Sequence, residues 1–355
     1  MGETESRREF TSRVLLATVL TVGVVGATYL AARYADLLLL LFAAILLAIL
    51  VDAAASTIAR RTPVTRGWAV LAVWLAILVL LVGLGLVGGP RIAEQTASLS
   101  DRVSQATTSI SQYLEAREWG QWLVEEAKRF GDQFSAGTDL LGRITRFFST
   151  AMSWIVGLVV VVVLALYLSA SPGVYLDNLL RLVPKPRRDR AREVFEVLGR
   201  SLRWWLIGRL SAMALLGLLT TIGLAVTGVP LAVTLGVLAA VTAFVPYLGP
   251  VLWLIPAALV AWAADPLKVV FVVAIYGVAQ FLEGNFITPL IQQRAVSIPP
   301  ALLLSVQLVM GAFFGALGVL VATPLGVTVI VLVQMIYVED VLGEEVRLLG
   351  VRDTS

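Results

Sequence analysis

In the stretch Gln280-Phe281-Leu282-Glu283-Gly284-Asn285-Phe286-Ile287-Thr288-Pro289, a carboxylate, two amides and a helix breaker interrupt a long apolar run. Glu283 is the only acidic residue between Asp265 and Glu339. Holding an ionisable group at bilayer depth costs at least a few kcal/mol, so such a residue faces a cavity or a partner, and a substrate or ion path is the default hypothesis. On a helix Gln280 and Glu283 share a face, which lets the amide support the carboxylate. Gly284 is expected to let a neighbour approach closely, and Pro289 to free the carbonyl of Asn285. Freed backbone groups at depth are tolerated where they are buried in protein or line water, which is how transporters build cation and substrate sites. Glu283, Asn285, Gln280 and Thr288 are therefore the candidate solute or ion ligands. The competing reading is structural: a protonated Glu283 hydrogen-bonded to another helix.

Two more interruptions flank this one. Pro246, Gly249 and Pro250 separate the apolar runs Leu231 to Ala243 and Val251 to Ala264. Each run is short for a span, so they form either tilted spans or a re-entrant hairpin. Further on, Gly311, Gly315 and Gly318 offer small positions for close helix packing, and Thr323-Pro324 is expected to add a kink. Whether the chain from Ile298 to Val338 makes two spans, or one span and a re-entrant hairpin, stays open at this level.

The elements that position these residues follow from composition. Of 355 residues, 59% are hydrophobic and 14% charged, with a mean hydropathy of +0.90; no hydrated globular surface has that balance. Clear apolar runs are Val14 to Ala32, Leu37 to Ala55, Trp68 to Val87, Ser149 to Leu168 and Leu206 to Val226, each long enough to cross a bilayer. The expected fold is all-α: a polytopic helical membrane protein of about eight transmembrane segments, broken or re-entrant in its C-terminal half. Arg7, Arg8 and Arg13, then Arg60, Arg61 and Arg66, then the nine basic residues from Arg181 to Arg209 precede or follow spans on one side. That side is assigned to the cytoplasm, together with the N-terminus, in a plasma (inner) membrane. Arg7-Arg8 also resembles a twin-arginine export signal, but the apolar run behind it is longer than a removable one.

Five regions result: N-terminal spans over 1–88, an extracytoplasmic amphipathic arm over 89–148, a span with a basic cytoplasmic helix over 149–205, a transport region over 206–340, and a tail over 341–355. The arm carries apolar or small residues from Ile92 to Leu114 at helical spacing, a stripe that lies on the membrane interface, packs on another subunit, or packs on its own protomer. The basic segment is expected to be a loop from Pro172, then an amphipathic helix from Arg187 ending near Trp204 and Trp205 and touching lipid. Nucleic acid is not an expected partner despite the net charge of +3, because the charge sits in short loops between spans. With no Cys and no His, thiolate chemistry, disulfides, imidazole metal sites and histidine-based triads are excluded. No cofactor or metal is expected.

Three motifs, Val245-Pro246-Tyr247-Leu248-Gly249-Pro250, then Gln280 to Asn285 with Pro289-Leu290-Ile291, then Gly311 to Gly318 ending in Ala322-Thr323-Pro324-Leu325, resemble in order and spacing the successive signatures of the autoinducer-2 exporter-like (AI-2E) permeases. They cover about the last third of the chain; the rest is similar in layout. The resemblance implies a multispanning permease forming a ring-like homo-oligomer, a pentamer being favoured, with a mobile portion that moves like an elevator. It also implies export of the autoinducer-2 signal or, as in some relatives, exchange of sodium or lithium for protons. One departure is clear: where the family often has Leu-His-Pro, this chain has Ser297-Ile298-Pro299-Pro300, so no role for that His carries over.

The leading functional expectation is a secondary transporter for a small hydrophilic solute, coupled to H+ or Na+ through Glu283. No Gly-x-x-x-x-Gly-Lys-Ser/Thr motif supplies an ATP motor. The alternatives are a monovalent cation/proton antiporter, with Glu283, Asn285 and freed carbonyls as ligands, and a nontransporting scaffold acting through the arm. An enzyme is disfavoured, since hydrolysis would need a second carboxylate or a Ser/Lys dyad; Asp52 is the conceivable carboxylate partner of Glu283.

Overall fold

The computed structural model describes residues 33–80, 151–287 and 299–344, with a few isolated positions beside them. Every regular element among these is helical. The expected first span Val14 to Ala32, the arm, Thr288, Pro289 and the end of the tail lie outside the described residues. Helix α1 (Ala35–Arg61) turns at Pro63 into α2 (Arg66–Leu80), and the pair buries Val51, Ala55, Ala69, Val70 and Val73 against each other. Helix α3 (Ala151–Ala170) packs on α1 through Ala44, Ala48, Val161 and Ala165. The small side chains there bring the two backbones close, which is how apolar helices associate in lipid.

After α3 the chain turns by 84° into α4 (Pro172–Arg181), so the segment expected as a loop is helical. A 3-10 turn (Lys185–Arg187) leads into α5 (Arg188–Val226), an unbroken 39-residue helix. The basic helix and the span after it are thus one element, and the boundary drawn at 205/206 falls inside it. No Pro lies between Arg188 and Val226, so nothing removes a ladder hydrogen bond there. At 1.5 Å per residue α5 is about 58 Å long, well over the thickness of a hydrocarbon core.

Helix α5 is the spine of the structure. Its buried positions Val194, Val197, Ser201, Trp205, Arg209, Ala212, Leu216, Thr220 and Leu224 recur every three or four residues on one continuous stripe. The first half of that stripe meets α1 and the last helix around Leu46, Trp205, Val327 and Val331. Its second half meets α6 (Ala232–Thr242), α7 (Leu248–Ala264) and α8 (Lys268–Leu282) around Leu224, Leu235, Trp253 and Val272.

Two helical hairpins are built on this spine from opposite ends. The first is α6–α7, whose arms of 11 and 17 residues reach about 16 and 25 Å. Its base lies at the C-terminal end of α5, where Lys268 Nζ donates to the Gly228 carbonyl at 2.6 Å. The second lies inside α9 (Pro300–Leu332), where Gly315 takes φ 58 and ψ −143. Hydropathy and length alone would count residues 300–339 as one span. The packing shows otherwise: Gln307 Nε2 donates to Thr323 Oγ1 at 3.3 Å, although an unbroken helix would hold residues that far apart in sequence about 24 Å from each other. The chain folds back at Gly315, and both arms point to the end where Arg190 of α5 binds Glu339 at 2.8 Å. The reversal is at Gly315, while helical backbone continues through Pro324, where a kink was expected.

By length and composition alone the described residues contain four helices fit to cross a membrane, one of them the folded-back segment 300–339, or five if the bent pair α3–α4 counts as one span. This is a multi-pass helical membrane protein.

Candidate functional site

Arg209 lies near the middle of α5, on its buried stripe, among apolar neighbours. Its Nη1 donates to Glu283 Oε1 at 2.7 Å, and its Nε donates to the Phe244 carbonyl at 3.0 Å. Three separate elements therefore meet at one guanidinium: α5, the tip of the α6–α7 hairpin and the segment after α8. The side chains of Arg209 and Glu283 are 7% and 13% exposed. In such a place attraction is strong but desolvation is costly, so removing either partner strands a buried charge.

The hairpin tip has an unusual backbone. Tyr247 takes φ 62 and ψ −50, and the Leu248 N–H donates to the Pro246 carbonyl at 2.7 Å. This is a γ-turn of the rare, strained hand. Gly249 follows, and a Cβ there would overlap the Thr242 carbonyl oxygen, so only glycine lets α7 start that close to the end of α6. Pro250 sits in the first turn of α7, where its missing N–H has no helical partner to lose. Trp205 packs edge-on against Phe244 with ring centroids 5.7 Å apart, which holds the carbonyl toward Arg209.

Glu283 opens a π-helical segment, Glu283–Ile287. Widened turns of this kind occur often at functional sites. Gln280 does not support the carboxylate: its Nε2 is buried without a hydrogen-bond partner among the described residues. The same is true of Arg209 Nη2 and Glu283 Oε2. One donor and one acceptor of the ion pair, with an amide donor nearby in sequence, thus stay unused in a water-poor place.

The remaining sequence candidates divide. Asn285 is exposed and its Nδ2 donates to the Phe281 carbonyl at 2.9 Å, one turn back on its own helix. Gly284 has open space where a Cβ would stand, so no neighbour presses on it. Asp52 pairs with Arg66 at 2.7 Å, away from Glu283. Within the second hairpin, a Cβ on Gly311 would press on Val319 and one on Gly318 would overlap the Met310 carbonyl, whereas Gly315 has no close neighbour and forms the turn itself.

Arg209 is the residue that sequence reasoning missed, by grouping it with the arginines that orient spans. The available signal was its register, four residues beyond Trp205 on a stripe that is otherwise apolar or small.

Residues 15–337 match the family model described as AI-2E family transporter. The putative transport protein YueF of Bacillus subtilis is 24% identical over 274 residues, covering 74% of each chain. Putative transport protein MT0215 of Mycobacterium tuberculosis is 30% identical over 269 residues, 70% of each chain, and YrrI of Bacillus subtilis is 31% identical over 156 residues, 44% of each chain. With the match running from before α1 to the end of the second hairpin, the chain belongs to the AI-2E transporter family.

Proposed function

We propose that this membrane transporter is a secondary carrier that exports a small hydrophilic solute of the autoinducer-2 kind from the cytoplasm across the inner membrane, with Arg209 and Glu283 at its binding centre. The observation that carries the reading is the half-used ion pair beneath the hairpin tip. A solute hydroxyl that accepts from Arg209 Nη2 and donates to Glu283 Oε2 would satisfy both atoms at once. Because the pair is already neutral as a whole, a neutral polar solute adds no net charge to a low-dielectric place.

Coupling follows from the same contact. A proton on Glu283 removes the charge that holds Arg209, and Arg209 in turn holds the Phe244 carbonyl. Proton binding would therefore loosen the tip of α6–α7, the step that exposes the centre. An elevator-like displacement of the hairpins against α1–α3, within a homo-oligomeric ring, is the form of motion this reading takes. The alternative, monovalent cation/proton antiport with Glu283, Asn285 and freed carbonyls as ligands, fits less well: the guanidinium on Glu283 Oε1 repels a second cation, and Asn285 is turned to its own helix.

The test is transport in proteoliposomes with imposed proton or sodium gradients, comparing wild type with Glu283→Gln across candidate solutes. Loss of gradient-driven solute flux in the variant is the expected result. Unchanged flux would sink the role of Glu283, and cation-induced proton flux without solute movement would favour the antiporter.

A further inference from the structure

Helix α4 leaves α3 at 84°, and α3 is an apolar helix of 20 residues, a length that suits a bilayer crossing. A helix at right angles to a span lies in the membrane plane. The turn is fixed from the protein side: Trp74 of α2 donates from Nε1 to Ser169 Oγ at 3.1 Å, two residues before it. Pro172 then starts α4 at a position where a missing N–H costs nothing.

The faces of α4 differ in character. Leu180 is buried against the protein, and Asp177 is tied to Arg192 of α5 at 2.7 Å. Tyr175, Leu179 and Leu182 fall on one stripe with spacings of four and three residues, and all three are exposed, Leu182 to 83%. At the end of this stripe and just beyond it lie Arg181, Lys185 and Arg187, exposed and with side chains unpartnered among the described residues. Neighbouring cations are used internally: Arg188 donates to the Val183 and Arg181 carbonyls, and Arg190 binds Glu193, Glu339 and Asp340.

We propose that α4 and the turn behind it form an interfacial foot that buries Tyr175, Leu179 and Leu182 in the acyl boundary and binds the headgroups of anionic phospholipids through Arg181, Lys185 and Arg187. The charge pattern selects this occupant. An apolar stripe at the level where a span ends, followed at once by three unpaired cations, matches an anionic bilayer surface in both halves. The foot is covalently continuous with α3 and, through the 3-10 turn, with α5. It therefore ties the spine that carries Arg209 to the membrane plane.

The chain has no cysteine, so single labels can be placed on the full-length protein. Spin labels at Leu179→Cys and Asp177→Cys would be compared in nanodiscs for access to lipid-soluble oxygen and to a water-soluble nickel complex. The label at 179 is expected to be several-fold more accessible to oxygen than to nickel, and the label at 177 is not. In parallel, thermal unfolding would be followed in phosphatidylcholine nanodiscs and in nanodiscs with about one-third phosphatidylglycerol, an anionic content in the range that attracts polybasic segments. Anionic lipid should raise the unfolding midpoint of wild type, and Arg181→Gln/Lys185→Gln/Arg187→Gln should abolish most of that rise while unfolding normally in phosphatidylcholine. The proposal is overturned if the 179 label is water-accessible, or if it is shielded from both reagents, which would mean that protein covers α4. It is also overturned if the triple variant keeps the full lipid response, or if inorganic phosphate in solution reproduces it.

Discussion

The two hairpins solve one geometric problem by opposite chemistry. Both reverse direction within the bundle, and both do so at positions where the sequence places Gly or Pro in apolar surroundings. The first spends five residues, 243–247, on its tip, strains Tyr247, and hands a bare carbonyl to a buried arginine. The second reverses at the single residue Gly315 and closes by tight packing of Gly311 and Gly318 on the opposite arm. Its cross-arm side-chain bond, Gln307 to Thr323, is long and uncharged. A tip held by charge can be released by neutralising that charge, whereas one held by van der Waals fit has no such lever. Under the proposed function, the moving, substrate-facing part would be α6–α7 and the framework part α9.

The strongest way to break this contrast is Arg209→Ala. It should abolish transport and destabilise the protein by about 3–5 kcal/mol, because Glu283 is left buried and unpaired. The double variant Arg209→Met/Glu283→Leu should regain most of that stability in thermal denaturation while staying inactive. If the double variant transports, the pair is scaffold only.

Next in size is Gly315→Ala in the second hairpin. Its φ and ψ lie in a region open almost only to glycine, so a cost of about 1–3 kcal/mol is expected, with kcat lowered no more than the folded fraction falls. A transport defect out of proportion to stability would move the second hairpin into the mechanism. The smallest effect sharpens the same point: Gln307→Leu/Thr323→Val removes both partners of a long hydrogen bond together with an unpartnered Oε1. Replacing such a pair by apolar groups is close to neutral, under about 1 kcal/mol, and flux should be unchanged.

Much of this contrast was legible before any coordinates. Glu283 stood out because a lone carboxylate in an apolar run has no routine explanation, and the break at Pro246 to Pro250 because two prolines and a glycine fall within five residues. Arg209 was not legible in the same way. An arginine at the edge of a span serves orientation in most proteins, and only the register of the whole α5 stripe shows it facing inward. Local sequence also conceals Gly315, since Gly311, Gly315 and Gly318 have the spacing of a packing face on a continuous helix. Gly315 instead takes a backbone conformation that no periodicity encodes. Similarly, α4 and α5 were blurred because charge marks the end of a hydrocarbon-soluble run, not the end of a helix.

Arg209 grips the first hairpin through a main-chain oxygen. Any residue at position 244 presents the same carbonyl, so a side-chain replacement there acts on the contact only indirectly, through the packing on Trp205. The guanidinium in effect measures where the tip is and is blind to what the tip is made of. The side chains around the tip can therefore change while the contact that ties the tip to α5 keeps the same main-chain atom.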